Sequence, residues 1–452
     1  MVLHHHWRHI HLKPRYGGLE QLAQLLNHPR PEIIPSSIQS VDIRVDRQRG
    51  RMDFNTEHVN MLVQLLGMLP SLHTIKIVIE SSFNECIKND NDMVRRTLAT
   101  LPNLRYVTLG ATRQSTHFDS HLRHLELDSI LACHPLRLLD LTGLEHVYYS
   151  ITAATLALQP MLWELRLSCL FKNDDVCMLD FIVDAGLHRL RTLIVDMSPY
   201  RKVFTFYQDN ETRRARVLPS LKRFVHACPT LNHLTIRTGQ VAHVDPWGFL
   251  RLVSQLLNLR TLAIFSDMFD KEMPVPAAPM IFPLLTKLRI LAQELVGISD
   301  LSATRPSIPL YAGLCATYWP RLQHFTGSMR ANYWQPADVT KLLQNAPRLK
   351  DLRLNGIELN VDADRTLQAI CEAGPLILTF LQLDISSSRS YDPYYKTKFM
   401  DHVRAVQQAC PLAYIHLLFR DRCCMVPLNL TGTYKEWITP VCTSTSQHHT
   451  HD

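Results

Sequence analysis

Residues 229–264 read PTLNHLTIRTGQVAHVDPWGFLRLVSQLLNLRTLAI, and they hold one motif twice: Leu231, Leu234 and Ile236, then Leu259, Leu262 and Ile264. In Leu-x-x-Leu-x-Leu the last two apolar positions alternate, as a half-buried strand requires. Between the copies, Phe249, Leu250, Leu252, Val253 and Leu256 recur at helical spacing. One cycle of strand, loop, helix and next strand thus takes 28 residues from Leu231 to Leu259.

The cycle repeats along the chain. Further copies open at Leu72, Leu104, Leu122, Leu136, Leu162, Leu190, Leu285, Leu349, Leu378 and Leu412, with weaker ones at Ile38 and at Leu322, whose third position is Gly327. So aliphatic a chain produces some matches by chance, and spacing decides. From 38 to 412 the steps average about 29 residues and stay within 26–41, apart from 18 and 14 around Leu122 and Leu136. Proline gives a second test: residues 70, 102, 160, 229, 283, 320 and 347 are Pro, each two places before a first leucine. That is seven of fourteen units, where 26 Pro in 452 residues would place about one. Proline lacks an N–H and turns the preceding residue away from helix, so it closes one element and starts the next extended. Helical spacing returns between strands at Met61, Leu62, Leu65, Leu66 and Leu69, and at Val339, Leu342 and Leu343, with start signals at Thr56-Glu57, Asp174-Asp175 and Pro336-Ala-Asp338.

Strand, loop and helix at this period predict an α/β leucine-rich-repeat solenoid, a horseshoe with a parallel β-sheet on the concave face and helices on the convex face. One unit cannot bury its apolar face alone; stacked neighbours do it together. The units are longer than the roughly 20–29 residues of regular members, so the horseshoe is expected to be irregular. Regular members also carry Asn or Cys at the ninth position to bond the turn backbone. Here that place holds Asp46, Glu80, Thr112, Ile130, Leu144, Leu170, Ser198, Gly239, Asp267, Gln293, Arg330, Ile357, Ser386 and Arg420, and not one is Asn or Cys. Polar or proline-bearing stretches at 198–216, 266–282 and 384–397 read as surface loops. Past residue 420 the pattern fades through Cys423-Cys424 into a Thr/Ser/His tail.

Composition narrows the classes. With 46% hydrophobic and 20% charged residues, the chain can build a core and is neither disordered nor collagenous. No apolar run reaches the roughly 18 residues of a membrane span, and the opening residues lack a secretory core, so a cytoplasmic or nuclear protein without a membrane partner is expected. Eleven Cys without a Cys-x-x-Cys pair read as reduced, packed thiols. A net charge of +7, with no block of like charges, gives nucleic-acid binding little support.

The opening His6-Trp7-Arg8-His9-Ile10-His11-Leu12, an amphipathic stretch from Leu19 to Leu26 and then leucine repeats together resemble F-box/leucine-rich-repeat proteins of the irregular fungal kind. In that family a Trp-Arg-x-apolar-x-Leu segment closes the F-box. The resemblance implies a substrate receptor of an SCF-type cullin-RING ubiquitin ligase. An F-box proper spans about forty residues with a Leu-Pro-x-Glu opening, for which residues 1–6 leave no room. The reading is therefore of a missing or truncated F-box, with the ligase adaptor a partner only if one precedes these residues. The domain layout expected is 1–30 as the end of an F-box or an N-terminal cap, 31–420 as the solenoid, and 421–452 as a C-terminal cap and flexible tail. The alternative is a free-standing repeat adaptor with no ligase role.

No catalytic signature stands out: Gly-x-Ser-x-Gly, a phosphate loop, Gly-x-Gly-x-x-Gly and His-Glu-x-x-His are all missing from the sequence. The expectation is a non-enzyme without cofactor or metal. His121, His124, Glu126 and Asp128 cluster, but alternation sets the last three along one exposed strand face, which favours solvent over zinc. The terminal histidine runs are assigned no role.

The functional expectation is a protein partner on the concave face, with the chain itself a monomer. The residues between the last two apolar positions are Asp42, Lys76, Thr108, Glu126, Asp140, Arg166, Ile194, Thr235, Ala263, Arg289, Thr326, Arg353, Gln382 and His416. Their order suggests an acidic section at Glu126, Asp128 and Asp140, a change after Arg166 to a neutral stretch with Phe265, and a basic section at Lys287, Arg289 and Arg353. Those eight residues are the candidate partner-binding set, with arginine and aromatic side chains as anchors.

Overall fold

The computed structural model describes residues 9–12, 38–45, 56–79, 96–111, 131–132, 134–143, 153–168, 178–197, 210–238, 245–266, 280–291, 309–328, 334, 336–358, 361–373, 377–386, 393–421 and 424–429. They divide into two compact units, Met1–Asp270 and Lys271–Asp452.

Unit 1 carries nine described strands: β1 (His9–Leu12), β2 (Ser40–Val45), β3 (Thr74–Ile79), β4 (Tyr106–Ala111), β5 (Leu138–Gly143), β6 (Glu164–Ser168), β7 (Thr192–Met197), β8 (His233–Thr238) and β9 (Thr261–Ser266). Each pairs in parallel with the next in sequence. The helices between them are α1 (Thr56–Gly67), α2 (Ala153–Ala157), α3 (Met178–Asp184), α4 (Asn210–Ala227) and α5 (Pro246–Val253). Unit 2 runs β10 (Lys287–Leu291), α6 (Pro309–Ala316), β11 (His324–Ser328), α7 (Pro336–Asn345), β12 (Asp351–Glu358), α8 (Val361–Glu372), β13 (Phe380–Ser386), α9 (Pro393–Ala409) and β14 (Tyr414–Asp421). Strands β10 to β14 are parallel in sequence order, and β15 (Cys424–Asn429) adds antiparallel to β14.

The leucine motif sets the register. Val41, Ile75, Val107, Leu139, Leu165, Leu193, Leu234 and Leu262 occupy one row across β2 to β9. All eight are buried, as are the first leucines of their units. Each such side chain contributes roughly 1.5–3 kcal/mol relative to exposure. A one-residue slip would turn a whole row to solvent, so the register is firmly specified. In unit 2 the matching row is Leu288, Phe325, Leu352, Leu381 and Ile415, again buried.

The backbone locks the units together just ahead of each strand. The carbonyl of the residue after each first leucine accepts two N–H groups from the next unit: Gln39 O from His73 and Thr74, His73 O from Arg105 and Tyr106, and so on to Asn232 O from Arg260 and Thr261. The same pattern links Thr286 to Gln323 and His324, and Lys350 to Thr379 and Phe380. Helices follow local chemistry. In α5 the Asp245 carboxylate accepts from Trp247 N at 3.0 Å and Pro246 opens the first turn, while Phe249, Leu250 and Val253 are buried. Successive helices pack side by side from α2 to α5 and from α6 to α9.

Several sequence expectations change. The copy at Leu122, Leu125 and Leu127 lies outside the described residues, but β4 pairs directly with β5, Tyr106 opposite Leu138. The ladder therefore steps 32 residues from Leu104 to Leu136, and the two short spacings dissolve into one ordinary one. Residues 210–216, read as loop, open α4, because the good helix formers Glu, Arg and Ala outweigh the polarity that suggested a loop. The loop expected at 384–397 is shortened from both sides, since β13 continues to Ser386 and α9 starts at Pro393. Within 266–282, Met280 and Phe282 are buried. Segment His9–Leu12 is a strand in register with β2, Ile10 opposite Val41 and Leu12 opposite Ile43. Beyond residue 420, β15 carries Pro427, which an edge strand tolerates.

Asn and Cys are missing from the ninth position, and the turn backbone is satisfied elsewhere. Asn103 Nδ2 donates to Pro70 O at 3.0 Å, Asn258 Nδ2 to Pro229 O at 3.0 Å, and Thr230 Oγ1 to His188 O at 2.9 Å. Each donor sits one place before a first leucine and reaches the carbonyl two places before the first leucine of the preceding unit. Gln159, fully buried, accepts from Leu136 N at 2.7 Å and donates to Leu131 O.

Candidate functional site

Side chains between the buried rows point to the other face of each sheet. In unit 1 the register lines up Asp42, Lys76, Thr108, Asp140, Arg166, Ile194, Thr235 and Ala263. Lys76 Nζ lies 3.4 Å from Asp42 Oδ2. Arg166 is held by two acids: its Nε donates to Glu164 Oε1 at 2.6 Å and its Nη1 to Asp140 Oδ2 at 3.4 Å. Asp140 keeps only 8% of its surface exposed. The acidic section is thus neutralised locally, and Glu126 and Asp128, with the histidines beside them, lie outside the described residues. Phe265, half-buried, supports the Arg237 guanidinium 4.7 Å from its ring centroid, opposite it in register.

In unit 2 the corresponding column is Arg289, Thr326, Arg353, Gln382 and His416. Beside it, two residues earlier on each strand, run Lys287, His324, Asp351, Phe380 and Tyr414. Arg353 bonds Asp351 with both arms, Nε to Oδ1 at 2.9 Å and Nη2 to Oδ2 at 2.8 Å. Hydrogen bonding to Asp351 raises the Arg353 pKa and fixes the fork over Phe380, 4.6 Å from the ring centroid. Phe380 stacks on Tyr414 with centroids 5.7 Å apart and planes 13° apart. His324 Nδ1 lies 3.4 Å from Asp351 Oδ2. Among the described residues no carboxylate pairs with Lys287 or Arg289, and Arg289 Nε is buried without a hydrogen-bond partner.

The structure therefore brings Lys287, Arg289 and Arg353 onto one face, and it sets Asp140 against Arg166. Sequence reasoning missed Asp351, Phe380 and Tyr414. Taking every second residue outward from the chosen column would have found them, because strand periodicity places them on the same face.

Among the described residues no group of three His, Cys, Asp or Glu could hold a metal ion, and no helix is long and apolar enough to cross a membrane. Cys228, Cys315, Cys371 and Cys410 are free thiols; burial pushes Cys228 up to about 12, so it stays protonated.

No protein family model and no curated protein matches the chain. Among solved structures it is similar to the leucine-rich-repeat-containing protein LegL7 from Legionella pneumophila, at 10% identity and a TM-score of 0.37 over 88% of this chain and 98% of that one. It is similar also to a chain in the Rad7 and Elc1 complex of yeast, at 12% identity and a TM-score of 0.38 over 80% and 75%. A chain of the TLR13–ssRNA13 complex follows at 12% identity and a TM-score of 0.30, with 80% of this chain covering 57% of that one. The fold class rests on the ladders themselves: one strand per leucine unit, in register, with helices between, is a leucine-rich-repeat fold.

Proposed function

We propose that this chain is a non-catalytic protein-recognition scaffold whose exposed strand columns dock a partner. One observation carries the reading. In unit 2, Lys287 and Arg289 stand without carboxylate partners beside a fixed Arg353–Phe380–Tyr414 stack. Arginine and aromatic groups held in place lose little side-chain freedom on binding, which is why they dominate interface energetics. Nucleic acid is the weaker fit, since phosphate binding draws on several uncompensated cations, and Arg166 and Arg353 are both already paired with acids.

The resemblance of His6–Leu12 to the end of an F-box supports a finer reading, substrate recognition in an SCF-type cullin-RING ligase, with the columns holding the substrate. The alternative is an adaptor acting without the ligase. Affinity capture from the source cells with wild-type chain and with K287E/R289E, quantified by mass spectrometry, tests both. Partners lost by more than about tenfold from the variant are expected, and cullin and its adaptor among the wild-type partners would favour the ligase. An unchanged partner set for the variant would remove this face as the docking surface.

A further inference from the structure

A second surface lies at the edge where the chain enters the strands of unit 1. The residues immediately before and after each first leucine flank a buried side chain and remain at the surface. Across the seven units whose first leucines run from Leu72 to Leu259, these fourteen positions include Arg105, Arg137, Arg189, Arg191 and Arg260 and not one Asp or Glu. Arg137, Arg189 and Arg191 are exposed. Among the described residues no carboxylate pairs with Arg105, Arg137 or Arg191.

At the centre of this row stands Trp163, 36% exposed, with Met161 at 44% and Leu158 at 56% beside it in sequence. The neighbouring strands supply its clamps. Arg137 lies 5.7 Å from the indole centroid and Arg191 5.8 Å, from the units on either side. Trp163 N donates to Arg137 O and Arg191 N to Trp163 O, so the backbone fixes all three roots. Arg189 Nη1 meets Met161 Sδ at 3.3 Å. An exposed Trp and Met in contact with arginines, with exposed Leu158 close to them in sequence, have the composition of an interface centre rather than of ordinary surface.

We propose that this edge docks an acidic peptide segment of a partner protein, one that also carries apolar side chains. Charge complementarity selects the acids: four arginines within neighbouring units with no opposing carboxylate in their columns create a positive strip. Leu158 and Met161 select the apolar residues. Single-stranded nucleic acid fits less well, because binding of that kind stacks bases on open aromatic faces and the guanidinium groups of Arg137 and Arg191 already stand over the Trp163 ring. This proposal rests on residues of unit 1 alone and does not depend on the unit 2 columns.

Panning phage-displayed random dodecapeptides on the full chain, with counter-selection on R137E/R191E, tests the proposal. Enriched peptides should combine Asp or Glu with Leu, Phe or Trp. A synthetic copy should bind the wild type more than about tenfold tighter than either R137E/R191E or W163A. R137Q/R191Q keeps side-chain length and serves if charge reversal disturbs folding, and circular dichroism confirms the fold of every variant. No enrichment, enrichment of neutral or basic peptides, or equal affinity for the variants would overturn the proposal. Tighter binding of an oligouridine probe than of the peptide, lost in the same variants, would overturn the choice of occupant. Retention of the partners sensitive to K287E/R289E would be unaffected by any of these results.

Discussion

Gly327 stands where neighbouring units carry leucine or isoleucine, and the reason is Trp334. A Cβ at Gly327 would collide with the Trp334 ring, which is 4% exposed and meets Phe325 edge-on with centroids 5.9 Å apart. The indole fills the place of the missing side chain. Gly327→Ala should therefore cost about 1–3 kcal/mol through overpacking, read as a lower urea midpoint without a change in slope. His134 makes the second residue-scale case. It is 4% exposed, its Nε2 bonds Leu98 O at 2.8 Å, and burial lowers its pKa from the ordinary 6.5. A base whose folded pKa lies below its unfolded one contributes stability that is complete above the unfolded value and lost as pH falls through the folded one. Urea midpoints should thus stay level above the ordinary imidazole pKa of 6.5 and drop as pH falls below it, and His134→Gln should make that dependence shallower. The sequence shows neither role: Gly327 reads as a defect in the repeat, and His134 as one polar residue among many.

At the scale of elements, the strands were the most legible part, because alternation within each unit and proline ahead of it point to the same residues. Thirteen of the fourteen motif copies fall on described residues, and each leads into a strand. The copy at Leu122 shows the limit of pattern matching, for nothing within it distinguishes it from the others; only the direct pairing of β4 with β5 does. Strands β1 and β15 went unrecognised for opposite reasons. Ile10-His11-Leu12 alternates but has no preceding leucine unit, and β15 pairs antiparallel outside the repeat. The turn bonds were hidden because the expected amide had moved, from the ninth position to the place before the first leucine. Asn103→Ala and Asn258→Ala should each cost about 1 kcal/mol. Gln159→Leu should cost more, about 1–3 kcal/mol, because it takes the buried amide away from Leu131 O and leaves Leu136 N with the His134 carbonyl alone. Denaturant titration of the three variants checks the order.

At the scale of the whole molecule, each unit is a stack in which neighbours supply the burial that a single repeat lacks. The candidate face was partly legible. Choosing the residue between the last two apolar positions found Asp140, Arg166, Arg289 and Arg353, but the residue string could not show that Arg166 and Arg353 spend their charge on nearby acids. That pairing depends on which strand lies beside which and on side chains two residues away, and among the described Lys and Arg of the unit 2 columns it leaves Lys287 and Arg289 without a carboxylate. The claim that the exposed columns dock a partner is tested most directly by hydroxyl-radical footprinting of the chain with and without a captured partner. Oxidation of Phe380 and Tyr414 should slow on binding, while Tyr318, which is 58% exposed away from those columns, keeps its rate. Protection of Tyr318 with Phe380 and Tyr414 unchanged would contradict the account.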